Sequence, residues 1–196
     1  GIMVNSGHSK AASATGSSIV EASSISVVGG TAGSNFNPDP FTGAEEMEDP
    51  LASFVMPPAG SCTFTSKQII MTSTTLSPGV YCGGIELRSQ AKVTFNPGAY
   101  YLVGGGLNAN AGAALTGTDV TFVNTEKKPS SSYDRIWING GAAIDLTAPM
   151  SGVWKGILFY QDPNVTSTKQ NVFNCGADMK LTGIVYFPTT STKFPG

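Results

Sequence analysis

The feature that most constrains this chain is a corner that returns. Leu76-Ser77-Pro78-Gly79-Val80-Tyr81 recurs 19 residues later as Phe95-Asn96-Pro97-Gly98-Ala99-Tyr100, and Gly83-Gly84 recurs 21 residues later as Gly104-Gly105. Proline presets φ at the first central position of a turn, and glycine accepts the positive φ that a type II turn needs at the second. Between corners the apolar residues alternate: Ile85-Glu86-Leu87-Arg88, Lys92-Val93-Thr94-Phe95, Val120-Thr121-Phe122, Ile144-Asp145-Leu146 and Met179-Lys180-Leu181-Thr182. Period-two alternation over so few residues predicts short strands with one buried face. Residues 107 to 115 keep the alternation but place small residues inside, as a coil must where it fits against a bulkier neighbour.

Short strands between regular corners cannot bury their own apolar faces, so stacking of successive coils has to make the core. The expectation is an all-β fold, a right-handed parallel β-helix (β-solenoid) with coils of about 20 residues and inserted loops. A β-sandwich is the alternative; it accounts for the strands but not for the repeated corner. Ile85, Leu87, Val93, Phe95, Leu107, Leu115, Val120, Phe122, Ile144, Leu146, Ile157 and Phe159 are expected to point inward.

With 24 glycines, 12 prolines and 12% charged residues in 196, the composition suits one turn-rich globular domain spanning 1–196. Ile2 to Gly30 reads as a further coil. Thr31 to Gly60 holds Asn37-Pro38-Asp39-Pro40, the acidic run Glu45 to Asp49, and Pro50, Pro57 and Pro58, and predicts a long excursion anchored by Leu51, Phe54, Val55 and Met56. A second insertion is expected at 124–133. Ile2-Met3-Val4 opens as a strand entered in mid-pattern, which predicts a natural chain longer at both ends.

Several function classes are disfavoured. A net charge of -2 without a basic stripe argues against nucleic acid as a partner, and no apolar run approaches the length of a bilayer span. Cys62, Cys82 and Cys175 form no CxxC pair and His8 is the sole histidine, so no metal, redox motif or cofactor is expected. Cys62 and Cys82 lie about one coil apart, which predicts a disulfide between neighbouring turns and an oxidising compartment, with Cys175 left over. A Ser-His-Asp triad would have to use His8, in a loop. Glycosidase chemistry needs two carboxylates on one cleft; Asp134, Asp145, Asp162 and Asp178 occur one per coil, pairing them depends on coil register, and Asp145 stacked on Asp162 would form a carboxylate pair or a calcium site. Ice binding through ranked threonines is disfavoured because Thr72, Thr74, Thr94, Thr116, Thr121 and Thr147 do not recur at one coil position. Binding is the remaining class, and Trp137, Trp154, Tyr133, Lys127 and Lys128 are the candidate contact residues. Alternation turns Trp137 outward between Ile136 and Ile138, and Trp154 lies beside Lys155 in a glycine-rich bend.

The order of Leu76 to Gly84, Phe95 to Tyr101, Gly117-Thr118-Asp119-Val120-Thr121-Phe122, Gly156 to Asp162 and Leu181 to Pro188 resembles the C-terminal repeat region of TadG-like proteins of the bacterial Tad/Flp pilus-assembly group. That resemblance implies export, a periplasmic, cell-surface or secreted location, pilus or other envelope proteins or surface polysaccharide as partners, and no catalytic residues. The functional expectation is a non-enzymatic cell-envelope scaffold or adhesin domain presenting loops for binding, with a polysaccharide-active lyase or glycosidase as the alternative.

Overall fold

A computed structural model describes residues 1–14, 19–110, 112–128, 130–174 and 179–194. The chain forms a right-handed parallel β-helix, built of strands with no helix among the described residues. It divides into two compact units, 1–56 and 57–194, where the sequence predicts one domain.

In residues 57–194 each coil passes through three parallel faces in turn. Face I holds Gln68–Ile70, Ile85–Leu87, Leu107–Ala109, Ile136–Ile138, Asn171–Phe173 and Thr192–Lys193. Face II holds Thr74–Leu76, Lys92–Phe95, Ala114–Gly117, Ala143–Thr147 and Met179–Thr182. Face III holds Gly79–Cys82, Gly98–Val103, Val120–Thr125, Ile157–Gln161 and Ile184–Tyr186. The coil length is not constant. Gln68, Ile85, Leu107 and Ile136 share one position on face I, at spacings of 17, 22 and 29 residues.

All twelve residues expected to point inward are buried. Their packing centres on a ladder of rings under face III: Phe64 on Tyr81 at 4.6 Å, Tyr100 on Phe122 at 5.4 Å and Phe122 on Phe159 at 5.2 Å, centroid to centroid. Stacked, offset rings at this separation add to the area they bury. The ladder explains the returning tyrosine. Tyr81 Oη donates to Ser77 O (2.6 Å), and Tyr100 Oη lies 2.7 Å from Asn96 O, so each phenol satisfies the carbonyl just before its corner proline. Of the two corner glycines only Gly98 has positive φ, +133°; Gly79 begins its strand without one, and the next coil makes the same corner with Asp119 at φ 57°. The two Pro-Gly corners therefore share the tyrosine hydrogen bond rather than one turn type, and in the Asp119 coil Phe122 takes the tyrosine's place.

The Gly83-Gly84 and Gly104-Gly105-Gly106 corners explain the other recurrence. A Cβ on Gly105 would lie 1.9 Å from the Gly83 carbonyl carbon and one on Gly84 2.3 Å from Gly106 O, so backbone packs directly on backbone between coils. The Cys62–Cys82 disulfide is present, with a Cα–Cα distance of 5.7 Å, and Phe64 pairs with Tyr81 beside it. Cys175 lies outside the described residues.

Residues 1–56 form their own short three-faced solenoid: Ile2–Val4, Ile25–Val27 and Phe41–Thr42 on one face, Ala12–Ser13 and Thr31–Ala32 on the second, Val20–Glu21 and Phe36–Asn37 on the third. The expected excursion from Thr31 is thus corrected. Its first part supplies three strands, because Pro38 and Pro40 fall between Phe36–Asn37 and Phe41–Thr42, where no ladder hydrogen bond is required. The chain leaves the ladder after Ala44, whose amide still donates to Val27 O. There Asn5 holds it, donating from Nδ2 to Met47 O and accepting at Oδ1 from Met47 N. Val55 is 85% exposed and anchors nothing.

Candidate functional site

The three faces of residues 57–194 differ in what covers their outer sides. On face III the outward residues Val80, Val123 and Tyr160 are buried, and Trp154 packs edge-on against Tyr160 (5.5 Å) and Tyr101 (6.2 Å). The expectation that Trp154 is available to a ligand is corrected: at 7% exposure it caps an apolar strip that would otherwise meet water.

Face II carries short polar residues. Thr75, Thr94, Thr116, Asp145 and Lys180 occupy one register column, with Thr94 Oγ1 3.3 Å from Thr116 Oγ1 and Lys180 Nζ 3.8 Å from Asp145 Oδ1. Of the six threonines weighed in the sequence only Thr94 and Thr116 share this column; Thr75, not among them, joins it, and the charged pair then breaks the rank. An open groove of about 310 Å³ lies along this column beside Ala114 and Ala143.

Face I is the candidate site. Its outward column runs Ile69, Glu86, Asn108, Trp137, Val172, Lys193. Trp137 is 37% exposed, and the Arg135 guanidinium lies 4.0 Å from the centroid of its ring. That cation–π contact holds both side chains on the surface, and Arg135 Nη1 also donates to Gln170 O (3.4 Å). Two coils away Arg88 Nε donates to Glu86 Oε1 (2.6 Å) while Lys67 Nζ lies 3.5 Å from Oε2. The Arg88 hydrogen bond, outweighing burial, lowers the Glu86 pKa and keeps it ionised and neutralised. Between these clusters the column holds Asn108, whose Oδ1 is buried without a hydrogen-bond partner.

The insertion expected at 124–133 is a hairpin entering face I, closed by pairing of Lys127 with Ser132. Lys127 and Lys128 are exposed on it. Tyr133 is not: it is 6% exposed, and the expectation that it contacts a ligand is corrected by its role in a buried network. Its Oη accepts from Asn124 Nδ2 (3.0 Å) and Gln161 Nε2 (3.3 Å), while Thr190 Oγ1 donates to Gln161 Oε1 and accepts from Asn171 Nδ2. Burial pushes the phenol up to about 12.

Glu126, at the foot of this hairpin, carried no signal in the sequence beyond its place at the end of an apolar strand. Its side chain is 2% exposed. Oε2 accepts from Lys128 Nζ (2.9 Å), and Oε1 accepts from the Thr166 amide (2.6 Å) and hydroxyl (2.8 Å), which ties the hairpin to the 162–170 loop. These bonds, the Lys128 one first, hold its carboxyl down at about 2.

No family model, curated protein or solved structure matches the chain.

Catalytic groupings do not assemble among the described residues. Asp145 stands on face II, whereas Asp162 follows face III and accepts from Thr125 Oγ1 (2.8 Å), so the two do not stack. Asp134 pairs with Lys169 at 3.2 Å, and Asp178 lies outside the described residues. His8 Nδ1 accepts from the Lys10 amide in an exposed turn, and no three His, Cys, Asp or Glu side chains gather as a metal site.

Proposed function

We propose that the protein is a non-enzymatic cell-envelope scaffold or adhesin domain that binds through the outer side of face I and the 126–132 hairpin. The observation that carries this reading is Trp137 with Arg135: a partly exposed aromatic ring and a planar cation held together on the outer side of a parallel sheet. A rigid sheet loses little freedom on binding, so such a pair retains most of its contact energy. Separation of Asp145 from Asp162 supports a non-catalytic role, since a general acid and base must face one substrate. The Cys62–Cys82 bridge supports an oxidising location, whether periplasm, cell surface or medium. Association with a Tad/Flp-type pilus rests on the resemblance of the repeated segments to TadG-like proteins.

The test is to incubate labelled protein with bacterial envelope fractions, purified surface polysaccharide and assembled pili, scoring retention and release of new sugar reducing ends. Retention without release is expected. Release abolished by Asp145→Asn or Asp162→Asn would replace the reading with the polysaccharide-active enzyme.

A further inference from the structure

We propose that face I binds an acidic polysaccharide, stacking a pyranose ring on Trp137 and holding its carboxylate on Arg135; this rests on the reading of the domain as a binding scaffold. The first argument is charge. Residues 1–56 carry one cation, Lys10, against six carboxylates, whereas residues 57–194 carry ten Lys and Arg against seven Asp and Glu. On face I the excess is local. Lys67, Arg88, Arg135 and Lys193 stand on or beside the outward column; Glu86 already has two of them as partners, and Asp134, next to Arg135, is paired with Lys169. The surface therefore offers uncompensated positive charge to an anion.

The second argument is shape and donor type. Arg135 uses one nitrogen on Gln170 O and lies 4.0 Å from the indole centroid, leaving further N–H donors in a planar fork that matches a carboxylate. The ring beside it is the large exposed aromatic of this face, and an indole provides an apolar surface for the C–H face of a sugar. Coils repeat at the strand spacing of about 4.8 Å, a period on which an extended polymer can place successive residues. A neutral glycan would use the indole but leave the cations unpaired, and a polyanion without rings would do the reverse.

The probes are hexagalacturonate, neutral maltohexaose and polyglutamate of matched charge, titrated by calorimetry and by tryptophan fluorescence into the whole chain. The protein has two tryptophans. Trp154 is buried, so a change in emission on binding reports Trp137. Hexagalacturonate alone should bind with a spectral change, and Trp137→Ala and Arg135→Gln should each weaken it about tenfold, with Arg135→Lys recovering only part of the loss. Thermal unfolding of the variants checks that they fold; Arg135→Gln, at a surface side chain, keeps the test open if Trp137→Ala does not. Absence of hexagalacturonate binding, equal binding of maltohexaose or polyglutamate, or affinity indifferent to both substitutions would overturn the proposal. Retention on envelope material that survives such a result would leave the scaffold reading standing; loss of both would remove it too.

Discussion

Glu126 ties two loops beside the candidate site, and its removal should loosen them without dismantling the solenoid. The carboxylate is almost fully buried and accepts three hydrogen bonds, one from a Lys ammonium and two from Thr166. In Glu126→Gln the volume is kept, but one oxygen becomes an amide that donates, so the Lys128 ammonium or the Thr166 donors lose an acceptor. Hydrogen bonds to a charged group are worth about 1.5–3 kcal/mol each, and part of that loss is recovered by water at the loop surface, so the expected cost is about 2 kcal/mol. The pH dependence follows from the direction of the shift. A carboxyl held at about 2 when folded, below its value in the unfolded chain, contributes stability that is fully present above the unfolded value and is lost as pH falls through the folded one. Urea unfolding from pH 7 to pH 2 should therefore show the wild-type and Glu126→Gln curves separated at neutral pH and converging below about pH 4. Amide exchange should rise in 126–132 and 162–170 and stay unchanged in Ile85–Leu87 and Lys92–Phe95. A variant with neutral-pH stability within 0.5 kcal/mol of wild type, of order the spread for substitutions without structural consequence, or exchange spread through the core strands, would refute the reasoning.

Gly105→Ala should abolish folding of residues 57–194 or leave only a loosened state, because its Cβ meets the backbone of Gly83 rather than a movable side chain; near-UV circular dichroism checks it, and a native spectrum would show that the coils can part there. Cys62→Ser should lower stability by about 3 kcal/mol by opening a closed loop of 20 residues, read from denaturant midpoints under non-reducing conditions.

Local chemistry made the solenoid legible in the sequence. Alternation at Ile85-Glu86-Leu87 and Lys92-Val93-Thr94-Phe95 decides which side chains face in, and the same rule turns Trp137 outward, since a strand's two sides differ whatever it stacks upon. The disulfide was legible for a related reason: Cys62 and Cys82 lie one coil apart, on neighbouring turns. What only the tertiary structure decided is which residues of different coils become neighbours. On face I successive coils differ in length as loops intervene, from 17 residues between Gln68 and Ile85 to 35 between Trp137 and Val172. Sequence spacing therefore could not show that Thr75, Thr94 and Thr116 align or that Asp145 and Asp162 part. Burial of Tyr133 and Trp154 belongs to the same class. Whether an aromatic in a loop is exposed depends on what the loop folds over, here a polar network for one and the apolar outer side of face III for the other, and neither is written in the residues beside it.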